Sequence, residues 1–320
     1  MWTSPLRGAL LGLLLVPAAT ASGAGSRDVS WFGRGLPGEQ ARVAVTPVAG
    51  ATRQVRRCAT PAGPAEARAE VDAALDLWRS LAPSAGKGHK TVVPVAMHVV
   101  RRDAEEGDVS DEAIEAQMRV LNRAYRKSAF RFELASVDRT DRKRWFHRCL
   151  AFGNGGGLRR PYRKMTRRLA VDPAATLNVY TCDLLDQDVL GFAMFPWFFL
   201  GESPHDGVVI DYRTVPDGGA VPYDAGDTLV HEVGHWLGLY HTFQDGCAAP
   251  GDEVDDTPYE ALPGYGCPVG RDSCTDDPGL DPVTNYMDYG DDACITRFSK
   301  RQRRRIKTAV GLYRPGLGLP

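Results

Sequence analysis

His231-Glu232-Val233-Gly234-His235-Trp236-Leu237-Gly238-Leu239-Tyr240-His241 is the stretch on which the reading of this 320-residue chain turns. On a helix, residues four apart lie one turn above the other, so His231 and His235 present their imidazoles on one face. That spacing suits two ligands about 2.0–2.1 Å from a single zinc ion. Gly238 can take the left-handed conformation that ends a helix, which lets the chain swing His241 round to the same ion. Three protein nitrogens leave the fourth tetrahedral position open for water, the mark of a catalytic site. Glu232 stands beside the first ligand, within reach of that water. With 7 His and 34 Gly in the chain, the whole pattern arises by chance at on the order of 10⁻⁵. A helix whose histidines merely pack is a poor account of it.

Upstream of this stretch, strand and helix patterns alternate. Thr91 to Val100 is β-branched and apolar, which predicts a buried strand. Ser110 to Lys127 reads as a helix with Ser110 as N-cap and Ile114, Met118, Leu121 and Tyr125 on one face. Phe130 to Val137 and Ala175 to Cys182 read as strands, and the zinc helix is predicted over Asp227 to Leu239. This order gives a mixed α/β core. Gly207 to Tyr212 reads equally well as an edge strand able to pair antiparallel with a peptide, or as an interior strand.

Downstream of His241 regularity fades until a final helix, predicted over Ser299 to Leu312. The basic run Lys300 to Lys307 reads as its solvated face, with Phe298, Ile306 and Val310 inward. His89, His98, His147 and His205 fit no ligand spacing and read as surface or core histidines.

The N-terminus has the pattern of a secretory signal over residues 1–21: Arg7, the apolar Gly8 to Val16, Pro17, and the small-residue site Ala19-Thr20-Ala21. No other segment is apolar enough for a membrane anchor, and a net charge of −1 gives no electrostatic case for a nucleic-acid partner. Export places the seven cysteines in an oxidising compartment, where pairing is the default and one is left over. Residues 22–57 read as mostly irregular, and Glu66 to Leu81 as an amphipathic helix built on Val71, Leu75, Trp78 and Leu81. A linker is predicted over Pro83 to Lys90, with Gly86 and Gly88 as breakers.

The eleven-residue stretch followed by a Met-containing turn, Asn285-Tyr286-Met287-Asp288-Tyr289, is the signature of metzincin zinc peptidases. With its cysteine-rich intervening segment, the chain resembles the pappalysin family, above all its small secreted bacterial and fungal members, over Thr91 to Arg314. The resemblance implies a mixed, twisted sheet and a zinc-binding helix above an irregular, disulfide-stapled subdomain that ends in a helix. It implies a catalytic domain at residues 89–320, divided into 89–241 and 242–320, behind a pro-segment at 22–88. The activity expected is a secreted endopeptidase made as a latent zymogen. It would act on protein or peptide substrates through a zinc-activated water with Glu232 as general base.

Met287 would underlie the metal, and Tyr289 matches the position whose phenol can hydrogen-bond the tetrahedral intermediate. Between Asp245 and Asp292 thirteen acidic residues face one basic residue, Arg271, and oxygen-rich loops of this kind suit calcium. Relatives bind calcium here, which points to Asp252, Asp255 and Thr257. The family pattern implies the disulfides Cys247–Cys274 and Cys267–Cys294; Cys149 and Cys182 remain as a third pair. Cys58 is then the odd cysteine. It resembles the zinc-blocking cysteine of related pro-forms, with Arg56 and Arg57 expected to acidify it, although Ala59 stands where those carry glycine. A disulfide to Cys149 or Cys182, or a free surface thiol, is the alternative. Some relatives cleave next to Arg or Lys by means of an acidic residue; Ile295 follows Cys294 here, which argues against that preference. Glu232 speaks against a merely structural zinc module, and the third histidine with the Met-turn against a non-proteolytic zinc hydrolase.

Overall fold

The computed structural model describes residues 41–47, 51–81, 90–152, 157–199 and 203–319. The signal-peptide reading, residues 22–40, His89 and nearly all of the expected linker lie outside them. The N-terminal part contains β1 (Arg42–Pro47), β2 (Arg53–Arg56) and α1 (Ala65–Leu81). There follow β3 (Thr91–Arg101), α2 (Asp111–Ala124), β4 (Phe130–Asp141), α3 (Lys143–Phe146), α4 (Arg160–Leu169) and β5 (Leu177–Cys182). Next come β6 (Gly191–Ala193), α5 (Pro196–Phe199), β7 (Val208–Asp211), β8 (Ala220–Val221), α6 (Asp227–Trp236) and α7 (Lys300–Tyr313).

The main sheet has the order β4-β3-β5-β7-β6. Its first four strands are parallel, and β6 runs antiparallel to β7 at the edge. Parallel strands covered on both faces read as nearly continuous apolar runs, as in β3, where consecutive residues from Val95 to Val100 are all buried. Helix α2 begins where Ser110 accepts a hydrogen bond from the Ala113 N–H at 3.2 Å. It packs Ile114, Met118 and Leu121 into the core that also holds Leu229, Val230 and Val233 of α6. Tyr125 closes this layer, its hydroxyl donating to the Val230 carbonyl at 3.0 Å.

One open reading of the sequence is decided and another changes. Gly207 to Tyr212 is not the edge: β7 lies between β5 and β6, with all four residues buried, and the edge is the three-residue β6. A strand that short carries no period, so nothing in the sequence set it apart. The segment read as irregular contains the antiparallel pair β1–β2, and β1 also pairs with β8 through Thr46↔Val221 and Pro47↔Ala220. Val43, Val45 and Val55 turn inward in alternation, onto Leu190, Tyr223 and Phe243.

Helix α1 lies on α7, with Val71 and Leu75 against Ala309 and Tyr313. Below α6 the chain is held by disulfides between Cys247 and Cys274 and between Cys267 and Cys294. A third, Cys149–Cys182, ties the end of β5 to the loop after α3. Stapling of this kind holds segments with little secondary structure of their own by limiting the freedom of the unfolded chain.

Candidate active site

Helix α6 carries His231 and His235 on one face and stops at Gly238, whose φ of +101° turns the chain back. A side chain there would also meet the Ala309 Cβ at 2.8 Å. The turn delivers His241 so that its Nε2 lies 3.1 Å from that of His235, which is 3.2 Å from that of His231. The backs of two rings are fixed: His231 Nδ1–H donates to the Tyr286 carbonyl and His235 Nδ1–H to the Leu239 carbonyl, each at 2.7 Å. Those bonds leave the Nε2 lone pairs facing one another, an arrangement that serves a cation and little else. Burial pushes all three imidazoles towards the neutral, ligating form, His235 to about 3 and the other two well below their ordinary range.

Met287 is fully buried beneath this set. Gly234 is required there, because a Cβ would collide with the Met287 sulfur. Tyr289 is buried as well, its hydroxyl 3.4 Å from His241 Nε2 and its ring edge-on to Phe243.

The fourth member of the cluster comes from the N-terminal segment. Cys58 is buried and unpaired, and its Sγ and the three histidine nitrogens all lie within 4.8 Å of one another. Burial, with Glu232 adding to it, pushes the free thiol well above its ordinary range. Burial thus outweighs the acidification expected from Arg56 and Arg57, and the Arg57 guanidinium is turned to Asp292 and Thr228. Thr60, which the sequence did not single out, donates to Glu232 Oε2 at 3.0 Å and accepts from the Ala193 N–H of β6 at 2.8 Å. Cys58 Sγ donates to the same carboxylate oxygen at 3.4 Å. Burial pushes Glu232 up to about 8.

Residues 56–60 run beside the edge strand in parallel, by the bridge Arg56↔Val189 and by Ala59 N–H donating to the Gly191 carbonyl at 2.9 Å. Gly191 lets them approach, since a Cβ would stand 2.8 Å from Glu232. One residue before Cys58, the buried Arg57 enters a pocket at the start of α6. It pairs with Asp292 at 3.1 Å, donates to Thr228, and lies 4.4 Å over the Tyr223 ring. Asp227 borders this pocket and is pushed up to about 8 by burial, then by Asp292. Asp292 thus places a buried carboxylate two residues before Cys294, next to the Arg57 guanidinium.

Asp252 and Thr257 are buried together, and Asp252 Oδ2 and Thr257 Oγ1 have no hydrogen bond of normal geometry among the described residues. Asp255 does not join them. It is exposed and pairs with Arg301 of α7. His98 is buried between Asp138 and Asn178, and His205 bonds Thr166 at 2.6 Å. His147 faces Asp186 at 3.2 Å and Asp183 at 3.5 Å; those carboxylates also meet Arg53 and Arg213, which makes an ion-pair cluster.

Comparison with known proteins settles the family. The chain is 37% identical over 268 residues to an extracellular metalloprotease of Pyricularia oryzae, covering 81% of this chain and 90% of that one. The chain belongs to the pappalysin family. Its residues 162–311 match the Peptidase_M43 family, described as pregnancy-associated plasma protein-A. This pappalysin is a metzincin metalloendopeptidase. An extracellular metalloprotease of Verticillium alfalfae is 41% identical over 228 residues, 69% of this chain and 76% of its own. Among solved structures, a promirolysin variant of Tannerella forsythia superposes with TM-score 0.66 at 26% identity, over 82% of this chain and 96% of its own. Mature mirolysin with a cleaved peptide gives 0.57 at 28% identity, over 73% and 100%.

Proposed function

We propose that this pappalysin is a secreted, zinc-dependent endopeptidase made as a latent zymogen, with residues 41–81 belonging to its pro-segment. The observation that carries this is the convergence of three neutral Nε2 atoms with one buried thiol. His231, His235 and His241 would hold the zinc, and Cys58 would fill the position that a water takes in the active enzyme. When bound, zinc polarises a carbonyl and acidifies a water. Glu232 then holds the water's proton and passes it to the departing amine. The Tyr289 hydroxyl is placed to donate to the developing oxyanion. Promirolysin covers more of this chain than mature mirolysin does, 82% against 73%, which supports a pro-segment in the N-terminal part. The names of the fungal relatives support secretion.

Substrates would pair antiparallel with β6. Residues 56–60 run the other way, so Arg57 sits where the residue C-terminal to the scissile bond would fall. Its pocket, with Asp292 and Asp227, supports a preference for Arg at that position. For calcium, the buried Asp252 Oδ2 and Thr257 Oγ1 supply two oxygens of the kind that ion takes.

The reading is tested by metal analysis together with casein hydrolysis by the activated protein. One zinc per chain and activity abolished by a chelator and restored by zinc are expected. Undiminished hydrolysis in chelator refutes it.

A further inference from the structure

The N-terminal segment grips the rest of the molecule on both sides of the cleft, and among the described residues the grips are made by residues 41–81. On one side β1 adds to β8, and Val43, Val45 and Val55 pack on Leu190, Tyr223 and Phe243. Across the cleft, Arg56 to Thr60 bond the β6 edge, and Arg57 is buried against Asp292. On the far side, Val71 and Leu75 of α1 sit on α7. Two buried charge pairs flank that apolar stripe: Arg68 with Asp245 at 2.6 Å and Asp72 with Arg305 at 2.6 Å. Arg305 also donates to the Gly238 carbonyl at 3.0 Å, beside the turn that delivers His241. The complementary face on α1 is thus a basic residue, an apolar one, an acidic one and a second apolar one at positions 68, 71, 72 and 75, one helical stripe.

Given the latency proposed above, we infer that residues 41–81 form a separable inhibitor, which stays docked after the chain is cut between Leu81 and Lys90. Such a cut breaks none of these contacts. It only replaces a tethered partner, held at an effective concentration in the millimolar range, by a free one. None of residues 55–64, which cross the cleft, is exposed, so the docked fragment also shields its own crossing segment. One cleavage therefore leaves a latent two-chain complex, and activity follows only from loss or destruction of the fragment.

The test is the full chain carrying a recognition sequence for a site-specific protease between Leu81 and Lys90. After complete cutting at micromolar concentration, the fragment is expected to co-elute with the larger piece on gel filtration and peptide hydrolysis to stay at the uncut level. Activity should rise on serial dilution and fall when the recovered fragment is added back. Arg68→Ala with Asp72→Ala, which touch neither metal nor cleft, should shift that dilution curve to roughly 30-fold or more higher concentration, as expected for losing buried charge partners. Separate elution with immediate full activity at micromolar concentration overturns the inference. An uncut chain already fully active sinks the latency reading instead, and co-elution after the cut then judges the docking alone.

Discussion

Glu232 is held from two distant parts of the chain: Cys58 and Thr60 of one N-terminal segment, and the bare Cα of Gly191. Glu232→Ala should leave a folded protein that still binds zinc and has lost about 10²–10⁴-fold in kcat, the usual worth of a positioned proton carrier. Near-normal turnover with one zinc bound would mean the proton travels by another group. Cys58→Ala should yield a precursor that hydrolyses peptides or processes itself without an activating protease; a variant as latent as the parent would leave simple obstruction of the cleft as the cause. Asp292→Asn in the activated enzyme should lower kcat/KM for a substrate with Arg after the scissile bond by roughly 30-fold or more, the cost of stranding a buried charge. The matching Leu substrate should change little, and equal losses on both would count against the pocket. At this scale the three histidines and Glu232 could be read directly, because helical spacing alone places them. Thr60, Arg57 and Asp292 could not. Their meaning lies in contacts with residues more than 160 positions away.

Helix α6 and the Met-turn are matched to each other by one missing methyl. Gly234 faces the Met287 sulfur, so Gly234→Ala must push the methionine aside or displace the helix. Overpacking of this kind costs about 1–3 kcal/mol. Denaturant unfolding should show that loss together with weaker zinc retention in competition with a chelator; unchanged values for both would show that the contact is slack. Long periodic elements such as β3, α1 and α2 were legible because burial imposes a repeat on their sequences. The edge strand β6 was not, since three residues cannot carry a period. Helix α4 went unread because Arg and Lys fill half of its positions and Tyr162, Met165 and Thr166 alone are buried. The basic run on α7 was read as solvated throughout, yet Arg305 turns inward to Asp72 and stacks on Tyr240. A sequence shows charge but not the partner that lets it be buried.

For the whole molecule, the region below α6 is held by two disulfides and buries the neighbouring oxygens Asp252 Oδ2 and Thr257 Oγ1 with little else to bond them among the described residues. Calcium at 100 times its Kd should stabilise the fold by about 2.7 kcal/mol through mass action. Melting curves after chelation should therefore rise along a calcium titration, and Asp252→Asn should flatten the response. A flat curve in the parent protein would remove calcium from the account. The sequence showed that this stretch was acidic, but not that Asp255 turns away to Arg301 while Asp252 and Thr257 turn in. The direction in which Arg56 to Thr60 lie beside β6 bears on the design of inhibitors. On the proposed latency, a peptide of that polarity would offer the metal a thiol while its amide bonds face Glu232 backwards, and would stay seated without being hydrolysed. Arg-Cys-Ala-Thr is therefore a starting scaffold whose amino-terminal side chain fills the arginine pocket, and medicinal extension from that end would reach surfaces that substrate-derived compounds approach from their carboxyl end.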